Sequence, residues 1–230
     1  MSLADFLYTI AIPVALATVM LGMGLSLTLE DLKRVVIYPK AVGTGLLGQL
    51  ILLPLLAFVL AAVLAPNPAI AAGAIMLAAC PGGVTSNAYT FAARADVALS
   101  VTLTAIESII TIFTIPLFAY LALSFYFDQA TAPAVPAGAM IRQLAIITAI
   151  PITCGMVFRA FQPALAARLV EMLRKVTVYV LVFLIVMAAF ASWEDVVENF
   201  AAAGFLVLAL NLLSMAMGYG LARATDLPVK

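Results

Sequence analysis

The chain has 230 residues, of which 66% are hydrophobic and 10% are charged, and its formal net charge is zero. A soluble domain is nearer half apolar and a quarter charged, so the composition predicts an integral membrane protein. The sequence contains no histidine, which excludes histidine metal centres and Ser-His-Asp catalysis, and the charge balance gives no sign of a nucleic-acid surface.

A membrane-spanning helix takes about 20 apolar residues. Seven stretches of the chain qualify, counted in order as spans one to seven, and together they predict an all-α membrane protein. These stretches cover residues 6–27, 41–64, 69–94, 97–125, 140–158, 176–192 and 201–222.

Basic residues fall almost entirely on one side of the membrane if these spans alternate in direction. Because basic residues collect on the cytoplasmic side, the N-terminus is predicted outside and the C-terminus in the cytoplasm. Arg142 is the exception among the eleven Lys and Arg residues, and the others follow spans one, three, five and seven: Lys33, Arg34, Lys40, Arg94, Arg159, Arg168, Arg174, Lys175, Arg223 and Lys230.

Two segments between spans have distinctive compositions. The segment 161–175 mixes apolar and basic residues, which favours a short amphipathic helix on the membrane surface, with a solvated loop as the alternative. The linker 126–139 carries two prolines and one charged residue. It is predicted to divide the chain into halves at 1–125 and 140–230.

Span two contains "GTGLLG" (43–48), which matches the dinucleotide-binding pattern GxGxxG. That pattern binds a dinucleotide only where it joins a strand to a helix. Here it lies inside one apolar run, so we interpret the glycines as contact points between packed membrane helices.

Span three contains "CPGGVTSNAYT" (80–90), which is unsuited to a continuous membrane helix. Pro81 removes a backbone N–H, and Gly82 and Gly83 permit left-handed dihedral angles. Broken backbone at membrane depth survives only where it is buried in protein or lines a cavity. The stretch predicts two half-helices that meet near mid-membrane, the second pointing its free N–H groups at an ion or anion. A simple proline kink is the alternative.

Polar residues in other spans support a site at this break. Gln49 in span two and Asn211 in span seven are uncharged polar side chains near mid-membrane, although a lone amide is more often an interhelical hydrogen bond than a ligand. Hydroxyl and amide oxygens are hard ligands suited to sodium. Span four carries polar residues at helical spacing: Ser100, Thr104, Glu107 or Ser108, and Thr111.

Glu107 is the acidic residue that the predicted spans contain. An ionised carboxylate near the bilayer centre costs at least ~2.5–3.5 kcal/mol, and no Lys or Arg stands at that depth in any span. Thr104 lies one helical turn earlier. The sequence therefore leaves two roles open, which are ion or proton coupling at the sodium site and a protonated carboxyl hydrogen-bonded to a neighbouring helix.

Several motifs together resemble the bile acid:sodium symporter family. The most specific pair is "CPGGVTSN" (80–87) with "ARADVALSVTLT" (93–104), and the others are "MLGMGLSL" (20–27), "YPKAVG" (38–43) and "GYGLARATDLP" (218–228). The resemblance implies an inverted-repeat fold with a panel-like domain and a core domain. The halves 1–125 and 140–230 would then be the first repeat and an incomplete second repeat.

The resemblance also implies a function and a set of ligands. It implies a sodium-coupled symporter of a small organic anion in the bacterial inner membrane, which works by alternating access and needs no cofactor besides the sodium ion. By position, one sodium site comprises Ser86, Asn87, Ser100 and Thr104, and Gln49 matches a ligand of a second. The substrate oxyanion is expected at the start of the second half-helix, with Val84, Thr85 and Asn211 as candidate contacts.

The chain departs from the family pattern in two places. Glu107 stands where hydroxyl residues are more familiar. After "TDLPVK" the family continues into a second broken helix with a Glu-Val-Gly-x-Gln-Asn pattern, which this sequence lacks. We therefore expect a fragment or short form that does not transport by itself. A non-transporting anion-binding membrane receptor is the alternative, and an enzyme is not expected because paired acids and activated cysteines are not visible.

Overall fold

The computed structural model describes residues 7–127, 135–191 and 193–227, and the regular structure in these ranges is helical. The all-α prediction is confirmed. The α-helices are α1 (Ile12–Ser26), α2 (Leu29–Ile37), α3 (Pro39–Leu47), α4 (Leu53–Leu64), α5 (Pro68–Ala79), α6 (Val84–Ala92), α7 (Val97–Tyr126), α8 (Ala137–Leu144), α9 (Ile150–Phe161), α10 (Pro163–Ala191) and α11 (Trp193–Ala224), with π-helical turns at Leu7–Ala11, Gly48–Leu52 and Ala145–Ala149.

The helices that are long and apolar enough to cross a membrane agree with the predicted spans one, two, four, five and seven. Within the described ranges they are Thr9–Ser26, Pro39–Leu64, Val97–Tyr126, Ala137–Phe161 and Val196–Ala224. The predicted third span instead forms two shorter helices, α5 and α6. This is the interruption that the composition of residues 80–90 predicts.

Helix α10 corrects the interpretation of the segment 161–175. A separate short helix or a solvated loop was expected there, but Pro163–Ala191 is one continuous helix that also includes most of the predicted span 176–192. The reason is local: after Pro163 the segment has no further proline and no glycine, so nothing in it interrupts helix propagation.

A proline follows shortly after each of the three π-helical turns. The turns Leu7–Ala11, Gly48–Leu52 and Ala145–Ala149 end two residues before Pro13, Pro54 and Pro151. A proline inside a helix donates no hydrogen bond and its ring collides with the carbonyl group four residues earlier. The wider π turn gives that carbonyl room, so the helical path continues through the proline.

The chain forms two compact units, and each is discontinuous in sequence. The first comprises Met1–Glu30 and Arg142–Glu198, and the second comprises Asp31–Ile141 and Asn199–Lys230. Each unit therefore takes residues from both predicted halves of the chain. The division into repeats at the linker 126–139 concerns sequence order and stays a prediction.

In the first unit, α1 packs against α9 and α10, and glycines permit the closest contacts. A Cβ atom on Gly24 would collide with the backbone of Ile152, and one on Gly155 would lie 2.6 Å from the carbonyl oxygen of Leu21. Arg159 Nη1 donates a hydrogen bond of 2.9 Å to the Leu25 carbonyl oxygen. That carbonyl belongs to the last turn of α1, where no backbone partner within the helix exists.

In the second unit, small side chains let α5 pack closely against α4 and α7, as is typical of membrane helices, and Leu210 of α11 joins the same buried cluster. The glycine interpretation of "GTGLLG" is confirmed at Gly45, which contacts Leu103, and at Gly48, which contacts Leu221, whereas Gly43 has open space around it. The buried cluster is composed mainly of alanine: Ala57, Ala61, Ala71, Ile75, Ala78, Ala122 and Leu210.

The glycine contacts of the first unit lead to a stability prediction. Gly24→Ala should destabilise the protein by about 1–3 kcal/mol, because the added methyl group meets rigid backbone. Gly22→Ala is the matched control, since its Cβ would lie 3.8 Å from Leu173, an ordinary contact. Thermal unfolding in detergent measures the difference. Equal stability of the two variants would show that α1 and α9 are not packed as described.

Candidate functional site

The helix break lies where "CPGG" predicts it. Helix α5 ends at Ala79 and α6 begins at Val84. The residues on either side of the gap have extended backbone, with ψ of 144° at Cys80 and 166° at Gly83. A proline kink would leave one bent helix, so the kink alternative is wrong.

Gly82 is needed at the break because neighbouring groups pack closely against it, and not because its backbone is left-handed. No glycine in the described ranges has a positive φ, so the expected left-handed conformation does not occur there. Instead, a Cβ on Gly82 would lie 3.1 Å from Gln49 Nε2, 3.5 Å from Glu107 Oε2 and 3.6 Å from Thr104 Oγ1. Three polar side chains thus converge on a backbone position that has no side chain of its own.

The polar face of α7 is buried, as its helical spacing predicts. Thr104, Glu107, Ser108 and Thr111 are each at most 3% exposed. The Thr104 hydroxyl donates to the Ser100 carbonyl oxygen at 2.9 Å, and the Ser108 hydroxyl donates to the Thr104 carbonyl oxygen at 2.7 Å. Because the Thr104 hydroxyl proton is engaged within the helix, the oxygen of that hydroxyl can accept a hydrogen bond or bind a cation.

Glu107 joins α7 to the break. Its Oε2 accepts a hydrogen bond of 3.3 Å from the Gly82 N–H, a donor that the break has released from helical pairing. Its Oε1 is buried and has no hydrogen-bond partner among the described residues. A buried carboxyl oxygen without a partner carries the full penalty of desolvation.

The second half-helix begins without a side-chain cap. Gly83 is the N-cap residue of α6, and it makes no side-chain cap hydrogen bond. The Ser86 hydroxyl and the Ser86 N–H both donate to the Gly83 carbonyl oxygen, at 2.6 and 2.9 Å. The first N–H groups of an α-helix have no partner within the helix itself, and a helix start of this kind favours an anion.

Thr90 links the two helices that flank the site, and sequence reasoning did not assign it a role. Its hydroxyl donates to the Ser86 carbonyl oxygen at 2.9 Å and lies 3.3 Å from the Ser100 hydroxyl. A cleft of about 670 Å³ opens beside this contact. Its lining comprises Thr90, Arg94, Ala95, Asp96, Leu99, Ser100 and Leu103.

The structure thus brings together some of the predicted site residues. Gln49 and Thr104 meet with Glu107 around Gly82, while Ser86 and Ser100 are connected through Thr90. The side chains of Val84, Thr85 and Asn87 lie outside the described residues. Asn211 is exposed on α11, and none of the three atoms nearest to a Cβ at Gly82 belongs to it.

Comparison with known proteins identifies the family. The model of the Sodium Bile acid symporter family matches residues 13–199. The chain belongs to this family. It is therefore an integral membrane protein related to sodium-dependent transporters, as the motifs around the break predict.

Three relatives show the range of similarity. YocS of Bacillus subtilis (strain 168), named an uncharacterized sodium-dependent transporter, is 31% identical over 208 residues, which cover 90% of the chain and 62% of YocS. The probable chloroplastic sodium/metabolite cotransporter BASS2 of Oryza sativa subsp. japonica is 30% identical over 228 residues, 98% of the chain and 52% of BASS2. The sodium-dependent organic anion transporter of Homo sapiens is 29% identical over 117 residues, which cover 51% of the chain and 31% of that transporter.

The chain spans between 31% and 62% of the length of these three relatives. All three are named as transporters, and none of the three names describes an enzyme. The family is thus established over most of the chain.

The packing at Gly82 leads to a prediction about occupancy of the site. Gly82→Ala should weaken sodium-dependent thermal stabilisation by about tenfold in apparent affinity or more, because the added methyl group fills the space between three polar groups. Gly73→Ala in α5 is the control, since a Cβ there meets nothing within 4 Å. If Gly82→Ala and the parent respond equally to sodium, the space around Gly82 is not the cation site.

Proposed function

We propose that the chain carries the first broken-helix site of a sodium-coupled symporter for a small organic anion. The observation that carries the proposal is the convergence of Gln49, Thr104 and Glu107 on Gly82, at the gap between two half-helices. The relatives support sodium as the coupling ion, since their names describe sodium-dependent transporters.

The ligand chemistry supports sodium at this position. A carboxylate, a hydroxyl whose proton is engaged elsewhere and a carboxamide are hard donors of the kind that alkali and alkaline-earth cations prefer. They stand on separate segments, the π-helical turn Gly48–Leu52 and α7, around the extended backbone at Gly82. Ser86, Asn87 and Ser100, which the family resemblance implies as further ligands, would complete the coordination.

The uncapped start of α6 supports an anionic substrate. Helix N-termini carry unpaired N–H groups and partial positive charge, and both favour an oxyanion. A cation bound beside them strengthens this preference by adding charge of the same sign as the helix end. Sodium and substrate would therefore bind cooperatively, which is the requirement for a symporter.

Alternating access would convert this cooperativity into uphill transport. In broken-helix transporters, one group of helices moves against another around a fixed mid-membrane site. Each net positive charge that enters through a potential of 100 mV releases about 2.3 kcal/mol, so the potential drives uptake of a monovalent anion when more than one sodium ion accompanies it. We assign the ligands above to the first repeat, 1–125, and the second repeat to 140–230.

Uptake into proteoliposomes tests the transport function. A chain that transports should accumulate one of three labelled anions, taurocholate, pantoate or pyruvate, under an inward sodium gradient and not under an inward potassium gradient, whereas a chain that does not transport by itself should bind sodium without accumulating any of them. Sodium-dependent stabilisation without accumulation of any of them would contradict transport by this chain and favour a site that only binds. Equal accumulation of the anion under sodium and potassium gradients would contradict coupling to sodium.

Individual ligands provide a sharper prediction. Thr104→Val, Gln49→Ala and Asn87→Ala should each weaken sodium binding by roughly tenfold, or about 1.4 kcal/mol, because each removes an oxygen that offsets dehydration of the ion. Sodium titration against potassium, read as the shift in thermal unfolding, measures the affinity.

The control for the hydroxyl is Thr153→Val. The Thr153 hydroxyl donates to the Ala149 carbonyl oxygen at 2.7 Å, the same arrangement as in Thr104, but in the first unit. Thr153→Val should keep the sodium affinity of the parent. An equal loss in both threonine variants would attribute the effect to helix stability and not to a ligand.

The charge distribution leads to a prediction of orientation. A cysteine at Ala137 should react with an impermeant thiol reagent from outside the cell, and one at Ala167 only from the cytoplasmic side. Both residues are exposed. The native thiols, Cys80 and Cys154, are free and exposed, so both are first replaced by serine. The reverse labelling pattern would overturn the orientation.

A further inference from the structure

Glu107 is a buried carboxylate that has a hydrogen-bond partner among the described residues for only one of its two oxygens. The side chain is 1% exposed. One oxygen, Oε2, accepts the hydrogen bond from the Gly82 N–H, and the other, Oε1, has no partner. The carboxyl group therefore sits at the helix break with one face unoccupied.

Among the described residues, the elements packed against α7 place no basic side chain where it could neutralise Glu107. The elements that pack against α7 are α3, α5, α6 and the turn Gly48–Leu52, and Lys40 is the basic residue that they contain. Lys40 is exposed in the first turn of α3. The other buried polar side chains on the same face of α7, those of Thr104, Ser108 and Thr111, are neutral hydroxyls.

A protonated, neutral carboxyl group at this position would also leave a polar atom without a hydrogen-bond partner. An acid O–H needs an acceptor, but Oε2 already accepts from an N–H and Oε1 has no partner among the described residues. Both the ionised and the neutral group leave a buried polar atom unsatisfied, which proteins rarely tolerate. A bound cation removes the deficit, because it supplies positive charge to Oε1.

We propose that Glu107 is itself a ligand of the bound cation, and that its carboxylate gives the first broken helix a charged site for a monovalent alkali cation. This inference rests on the proposed sodium-binding function and adds the charged member of its ligand set. Glu107 lies one helical turn after Thr104 on the same face of α7. Both side chains, with Gln49, approach Gly82 within contact distance of a Cβ.

The class of cation follows from the charge count. One carboxylate with neutral hydroxyl and carboxamide oxygens balances a single positive charge. Calcium sites use several carboxylates, and magnesium retains much of its water. The compact ligand set around a glycine favours sodium over the larger potassium ion.

The test is a sodium titration of Glu107→Gln. Glutamine keeps the size of the side chain and an oxygen that accepts the Gly82 N–H bond, but it removes the charge. We expect sodium affinity, measured by thermal unfolding with choline as the replacement cation, to fall by tenfold or more. Thr114→Val is the matched control on α7, because the Thr114 hydroxyl oxygen is also buried without a hydrogen-bond partner among the described residues. The sodium affinity of this variant should match that of the parent.

The outcomes separate this inference from the proposed function. If Thr104→Val and Gln49→Ala lose sodium affinity while Glu107→Gln keeps it, the sodium site stands and the role of Glu107 is refuted. If the parent itself shows no sodium effect, both proposals fail. If all variants bind sodium like the parent, the ligands lie elsewhere.

A second measurement does not depend on the folding of a variant. The infrared difference between the sodium-bound and sodium-free parent should show a change in the carboxylate stretching region, since the cation contacts Glu107. Glu171→Gln should retain that change, because Glu171 is exposed on α10 in the first unit. A parent spectrum without any carboxylate change would overturn the proposal even if Glu107→Gln could not be purified.

Discussion

The hydrogen bond from the Gly82 N–H to Glu107 is the interaction on which the site depends. A bilayer interior offers no water to backbone groups that a broken helix releases. At the break, α7 supplies the acceptor, and the close approach of the two segments is possible because Gly82 lacks a side chain. The same contact places a carboxylate beside the free N-terminus of α6.

Close approach of backbone is the common feature of both compact units. In the first unit, Gly24 and Gly155 allow α1 and α9 to meet without side chains between them. In the second, alanines form most of the buried cluster. Helices surrounded by lipid gain little from burying apolar area, so they associate through close packing and buried polar contacts. Small residues at the points of closest approach therefore let these helices become neighbours.

Hydroxyl groups in α7 form hydrogen bonds within the helix and also line the site. Thr104 and Ser108 donate their protons to carbonyl oxygens of their own helix, so neither leaves an unsatisfied donor in the membrane. The oxygen of Thr104 can therefore act as a ligand. Glu107 differs because the helix cannot satisfy a carboxylate in this way, and Gly82 satisfies only one of its two oxygens. The remaining oxygen needs a group from outside the helix, and a small cation has the required charge and size.

The sequence by itself determined the features that depend on neighbouring residues. Apolar runs of sufficient length predicted the spans that the structure contains, and Pro81 with two glycines predicted the break, because local backbone chemistry controls both. Helical spacing predicted the polar face of α7. It did not predict the continuous α10, since amphipathic character alone does not show where a helix stops. Only the tertiary structure decided that Gln49, Thr104 and Glu107 meet at Gly82 while Asn211 does not, and that Gly82 is needed for space and not for a left-handed turn. Those contacts join segments far apart in the chain, and their geometry depends on how closely the intervening helices pack, a quantity that no local pattern of residues specifies.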